Sequence, residues 1–201
     1  MGPAVSAVRV ADLELARRAA DGDRIAQREL FAAQKASVHH TLFRILGSNR
    51  ELEDLIQDAF LEIFRALPTF RGDSTLTRWC RTIATRTAYL AISRRKPAPV
   101  DLELIEEVVA HDDPDAHRVA FAREATRRLY AALDRLDVKL RIAFALAVID
   151  GLPLAEVAQL TSSTTVAVKT RVWRARRDLT KRASKDPVLS SYLVELGGGA
   201  T

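Results

Sequence analysis

The chain has 201 residues, 48% of them hydrophobic, so it can bury either one large core or two small ones. Its formal charge of +5 points toward a polyanionic partner, and a single cysteine, Cys80, excludes an intramolecular disulfide and any cysteine-based zinc cluster. No window approaches the roughly 18 apolar residues of a membrane span, and no basic stretch leads into an apolar run at the start, so a cytoplasmic protein without membrane insertion is expected.

Glycine and proline are sparse, at 8 and 7 residues, while alanine, leucine, arginine and glutamate recur, which favours helix over sheet. Charge then divides the chain. Residues 1–96 hold 16 Lys and Arg against 11 Asp and Glu, residues 97–117 hold none against 7, and residues 118–201 hold 15 against 8. The expected fold is all-α: two small helical domains, 10–96 and 118–185, an acidic linker over 97–117 between them, and a tail over 186–201.

From Asp12 to about Leu67, apolar residues recur at helical spacing: Leu15 and Ala19; Ile25, Leu30 and Phe31; Val38, Leu42, Ile45 and Leu46; Leu52, Leu55, Ile56, Phe60, Ile63 and Phe64. Asp21-Gly22-Asp23 and Gly47-Ser48-Asn49 supply the breaks, and Pro68 blocks continuation of the last helix. After a loop from Thr69 to Ser74, either Ser74 or Thr75 can cap a helix that runs to about Arg95 and stops before Pro97 and Pro99. Within the connector, Leu102, Ile105 and Val109 share helical spacing and leave room for a short amphipathic turn. Four further helices fit the second block, carried by Leu129, Leu133 and Leu136; by Ile142, Ala145 and Val148; by Leu154, Val157 and Leu160; and by Val168, Val172, Ala175 and Leu179. The tail ends in Gly-Gly-Gly-Ala-Thr and reads as disordered beyond Leu196.

Leu154 to Arg177 has the pattern of a helix-turn-helix: a short helix, a turn at Thr161-Ser162-Ser163-Thr164, and a longer helix capped by Thr164. Val157, Leu160, Val168, Val172 and Ala175 can join the two helices, which leaves Thr165, Lys169, Thr170, Arg171 and Arg174 facing outward. Such a face suits a major groove, where basic side chains reach phosphates or guanine edges and threonine offers a short polar or methyl contact. Between Lys169 and Lys185 lie eight basic residues and one acid, Asp178, a density that makes binding steeply salt-dependent through counterion release.

In the first block, Asp54-Leu55-Ile56-Gln57-Asp58-Ala59-Phe60 places acids and an amide on one side of a helix and apolar residues on the other, a face built to dock a basic partner. Thr69 to Lys96 then interleaves aromatics with arginines, as single-strand binders do. The DLIQDAF helix, the tryptophan-bearing arginine-rich helix after it and the terminal helix-turn-helix, in this order, resemble the extracytoplasmic-function sigma factors of bacterial RNA polymerase.

The resemblance implies that the first domain clamps core RNA polymerase through Asp54, Gln57, Asp58 and Phe60 and opens the minus-10 element of promoter DNA, with Phe70, Arg71, Trp79, Arg81 and Arg86 as candidate contacts. It implies that the second domain reads the minus-35 element with Thr164, Thr165, Lys169, Thr170, Arg171 and Arg174, that the connector threads toward the polymerase cleft, and that an anti-sigma factor covers both domains. Opening DNA requires capture of exposed bases to offset unstacking, about a few kcal/mol per step. The residues alone leave Trp79 an equal standing as a core side chain, since Leu76 and Ile83 put it on an apolar face. Two departures bear on detail: Thr161-Ser162-Ser163 stands where many members have a glycine at the turn, and Arg86 and Leu90 stand where an asparagine and an aspartate are usual.

No glycine-rich phosphate loop, HExxH or nucleophile elbow is present, so no enzyme and no cofactor is expected. His39 and His40 point to different faces of one helix and His111 and His117 fall in the connector, so no metal site is expected either. The rival reading is a stand-alone regulator that binds an operator as a dimer through the helix-turn-helix.

Overall fold

The computed structural model describes residues 3–47, 51–94 and 114–198, and every regular element among them is helical. A first lobe holds α1 (Pro3–Ala20), α2 (Arg24–Leu46), α3 (Leu52–Ala66) and α4 (Leu76–Arg94). The turn from α1 to α2 is fixed by Asp23, whose side chain accepts from the Ile25 and Ala26 backbone N–H groups while Arg18 pairs with it at 2.7 Å. α2 ends at Gly47, where φ is +72°. Pro68 sits in a single 3-10 turn, Leu67–Thr69, that closes α3. α4 begins where the Leu76 N–H donates to Asp12 of α1 and the Arg78 N–H to Thr75 Oγ1. Leu30, Val38, Leu42, Ile45, Ile63, Leu76 and Cys80 fill the core of this lobe.

The second lobe holds α5 (Pro114–Leu133), α6 (Val138–Phe144) continuing as a π turn (Ala145–Ile149), α7 (Leu154–Leu160), α8 (Thr165–Ala183) and α9 (Pro187–Gly198). Leu129, Leu133, Phe144, Ala175 and Leu179 form its own core. Two expectations are corrected here. α5 already begins at Pro114, so the last four residues assigned to the linker are helical, and the expected amphipathic turn around Leu102 to Val109 lies outside the described residues. The segment read as a tail is α9, because Leu189 is buried against this core, with Tyr192, Leu193 and Leu196 packed beside it.

The lobes are not held apart by the connector. The apolar cluster that contains Leu30 and Ile45 runs on into Ile142, Ala145, Leu146, Val157 and Leu160 of the second lobe. Arg141, 1% exposed, crosses the seam. Its Nε donates to the Ile45 carbonyl at 3.0 Å and its Nη2 to the Leu46 carbonyl at 3.1 Å, while Nη1 pairs with Asp134. These carbonyls are C-terminal orphans of α2, so a buried cation from the other lobe satisfies them and meets the macrodipole at its negative end. Tyr130 adds a bond to the Arg44 carbonyl at 2.9 Å, and its ring lies so close to Gly47 that a Cβ there would fall 2.1 Å from it.

Candidate nucleic-acid interface

α7 and α8 meet through Val157, Leu160 and Val168, all buried, with Val172 half-buried behind them. Thr164 caps α8 by accepting from the Ala167 N–H at 3.1 Å. The turn between the helices depends on Ser162, the one non-glycine at positive φ (+47°) among the described residues. Its neighbours stabilise it: the Ser163 N–H donates to the Ala158 carbonyl, and Thr161 Oγ1 lies 2.7 Å from Ser163 Oγ. A serine in the left-handed region costs energy that glycine would not, which is where the departure from the glycine turn takes effect.

Buried Val168, Ala175 and Leu179 fix which side of α8 faces outward. At about 100° per residue, the centre of the opposite side is Val166, Thr170, Trp173 and Arg177, flanked by Lys169 and Arg174. Thr165, Lys169, Thr170 and Arg174 are exposed as the sequence led us to expect, whereas Arg171 is half-buried at the edge. Trp173 was not singled out from the sequence, yet it is 59% exposed, with the Arg177 guanidinium 5.1 Å from its ring centroid. The signal for it was available: Trp173 falls off the stripe Val168–Val172–Ala175–Leu179 that defines the packed side.

In the first lobe, Asp54, Gln57 and Asp58 lie exposed along the outer side of α3, aligned with Leu61. Phe60, expected to contact the polymerase directly, is 4% exposed. It sits on the inward side with Ile56 and Ile63, and its ring meets Phe31 of α2 at 4.5 Å, so it supports the acidic face from beneath. Beside this face, Arg24, Gln27, Arg28, Phe31 and Phe64 line an open groove between α2 and α3.

The minus-10 candidates separate into two groups. Phe70 is 8% exposed and Trp79 half-buried, their rings 5.4 Å apart, so Phe70 is a core residue that props the tryptophan. Trp79 and Arg86 lie two turns apart on one stripe of α4, with Arg86 exposed, and Arg71 is exposed in the loop before the helix. Arg81 is turned about 140° from Arg86 and points into the seam. There its Nε donates to Thr41, Nη1 to Glu156 at 3.2 Å and Nη2 to Asp150 at 2.9 Å. His40 Nε2 also reaches Asp150, whose side chain is 6% exposed, and Arg78 donates to Gln159 at 2.8 Å. Cys80 is fully buried and its thiol is pushed up to about 12 by that burial, so it packs rather than reacts. No cluster of metal-ligating side chains occurs among the described residues.

Comparison with known proteins finds a separate family match in each lobe. Residues 30–97 match the family model Sigma-70 region 2, and residues 126–179 match Sigma-70, region 4. The chain is 29% identical over 173 residues to the ECF RNA polymerase sigma-E factor of Escherichia coli (strain K12), covering 82% of this chain and 90% of that protein. It is 29% identical over 178 residues to the RNA polymerase sigma-H factor of Pseudomonas aeruginosa, covering 85% and 92%. Among solved structures, CnrH in complex with the cytosolic domain of CnrY matches with a TM-score of 0.59 at 24% identity, covering 88% of this chain and 99% of that one. The sigma factor RpoE in complex with the anti-sigma factor NepR, from Bartonella quintana, matches with a TM-score of 0.52 at 20% identity, covering 79% and 97%.

Proposed function

Because the chain belongs to the extracytoplasmic-function sigma factors of bacterial RNA polymerase, we propose that three of its helices divide the work of promoter recognition. The protein binds core RNA polymerase and promoter DNA and directs promoter-specific initiation. In this reading the Asp54, Gln57 and Asp58 face of α3 docks on the core enzyme. The Trp79 and Arg86 stripe of α4, with Arg71, receives the opened minus-10 strand by stacking and phosphate pairing. The outer face of α8 enters the major groove at the minus-35 element, and the capped N-terminus of α8 at Thr164 faces the phosphates.

One observation carries the assignment: Lys169, Thr170, Trp173 and Arg174 stand exposed on the second helix of a helix-turn-helix whose other side packs through buried Val168, Ala175 and Leu179. Transcription with purified core polymerase on a random promoter library tests it. Transcripts should start downstream of one recurrent pair of motifs, and Lys169→Ala with Arg174→Ala should abolish selection of the upstream motif only. Failure to bind the polymerase, with tight duplex binding by a stable dimer, would instead favour the stand-alone regulator. Asp54→Ala with Asp58→Ala should weaken capture by core polymerase while leaving the helical signal intact; unchanged capture would sink the α3 assignment.

An anti-sigma factor is part of the same reading. CnrH is seen with the cytosolic domain of CnrY and RpoE with the anti-sigma factor NepR, and the shared fold offers this chain the same mode of control. The place of action is the cytoplasm, where the polymerase works; among the described residues no helix is long and apolar enough to cross a membrane.

A further inference from the structure

The outward side of α8 is charged at its flanks and apolar along its centre. Val166, Thr170 and Trp173 fall within about 60° of one another around the helix, while Lys169 and Arg174 lie about 70° to either side of that line. Val166 is 76% exposed and Trp173 59%, so two large apolar side chains stand in solvent on this face. Thr170 joins them as an apolar group. Its Oγ1 donates to the Val166 carbonyl at 3.0 Å, which spends the hydroxyl proton inside the helix and leaves the methyl as the group offered outward. The indole is braced as well: the Arg177 guanidinium, one turn further on, lies 5.1 Å from its ring centroid and can cover only one of its faces.

In the major groove the base edges show hydrogen-bond donors and acceptors, and the apolar group among them is the C5 methyl of thymine. Val166 and the Thr170 methyl have no hydrogen bond to offer, so a guanine or cytosine edge opposite them would lose water and gain no partner. A thymine methyl there would instead leave water for an apolar contact. From Val166 to Trp173 is about 10 Å along the helix axis, the length of about three steps at ~3.4 Å per base pair. The three groups can therefore meet methyls on neighbouring base pairs. Cations on both flanks favour a polyanion over an apolar protein groove as the occupant of this face.

We propose that Val166, Thr170 and Trp173 read a run of thymines in the minus-35 element through their C5 methyl groups, with Arg177 as the positioning residue that holds the indole against them. The inference rests on α8 being the minus-35 helix. Lys169 and Arg174 then serve phosphates or guanine edges at the borders of the run, and the centre of the face supplies the preference for thymine.

Binding of the full chain, in complex with core polymerase, to synthetic duplexes of the upstream motif selected from the random promoter library tests this. One duplex carries thymine and the other deoxyuridine at every thymine of that motif, which deletes the methyl and leaves the hydrogen bonds of the base intact. The wild type should prefer the thymine duplex about tenfold, at about fourfold for each methyl buried. Trp173→Ala should reduce that ratio about fourfold. Arg177→Gln should reduce it too, and Arg177→Lys, which returns a cation to the ring, should restore it. Thr170 decides which atom reads: Thr170→Val keeps a methyl and should hold the preference, whereas Thr170→Ser keeps the hydroxyl and should lower it. A selected motif without thymine, equal affinity for the two duplexes, or a preference that survives in Thr170→Ser and is lost in Thr170→Val overturns the proposal. Equal affinity would leave the apolar line to a protein partner. Failure of the minus-35 reading itself would appear separately, as Lys169→Ala with Arg174→Ala binding every duplex as tightly as wild type.

Discussion

The helices α4 and α8 each carry arginines at helical spacing, yet they hold them in opposite circumstances. On α8 the cations Lys169 and Arg174 face solvent, whereas on α4 the side chain of Arg81 is 15% exposed and shared among Thr41, Asp150 and Glu156. Both helices look basic in the sequence. Which cations are free is settled by what packs beside the helix, and here the second lobe claims one flank of α4 while nothing in the described residues covers the outer side of α8.

Breaking the seam should have the largest effect. Arg141→Ala removes the partner of Asp134 and the guanidinium donors to the Ile45 and Leu46 carbonyls, and should cost about 2–6 kcal/mol in urea unfolding, at about 1–3 kcal/mol for each acceptor left unsatisfied. A loss below about 1 kcal/mol would mean that water replaces the guanidinium and the latch is weak. Next comes the free side. Arg174→Ala should lower affinity for the minus-35 duplex by about 1–3 kcal/mol without shifting the melting temperature. Equal loss on every sequence would make Arg174 a phosphate contact and relax its part in specificity. Trp173→Ala should weaken the same duplex by about 1 kcal/mol and alter stability by less than about 0.5 kcal/mol, because the ring is 59% exposed. A clear drop in melting temperature would show that the tryptophan holds the fold instead. The smallest change sharpens the turn that aims α8: Ser162→Gly relieves a φ of +47° and should stabilise the protein by about 0.5–1 kcal/mol. Destabilisation would assign the serine hydroxyl a role that its backbone does not reveal.

Much of this architecture was legible because single helices announce themselves. Val168, Val172, Ala175 and Leu179 fixed the packed side of α8, and Asp23, Gly47 and Thr164 marked helix ends by capping chemistry that acts within a few residues. The seam was not legible. Ile142 and Ala145 read as ordinary core of their own domain, because nothing local distinguishes a side chain that packs within a lobe from one that packs across two. Phe60 and Phe70 were misplaced for a different reason. Their motifs drew attention to aromatic chemistry, while the spacing of Phe60 with Ile56 and Ile63 already turned it inward. α9 was hidden by the glycines that follow it, although Leu189, Tyr192, Leu193 and Leu196 keep the period of a packed helix. For the candidate site, the outward side of α8 at Thr165, Lys169, Thr170 and Arg174 was readable, but the pairing of Arg81 was not, since its carboxylate partners lie 69 and 75 residues away.

The apolar strip made by Ile142, Ala145 and Leu146 carries a cost for any opened form. Were the lobes to part, oily surface that is dry here would become wet, and a molecule in that condition would be prone to stick to others of its kind. The packing that joins the lobes therefore also keeps the chain soluble.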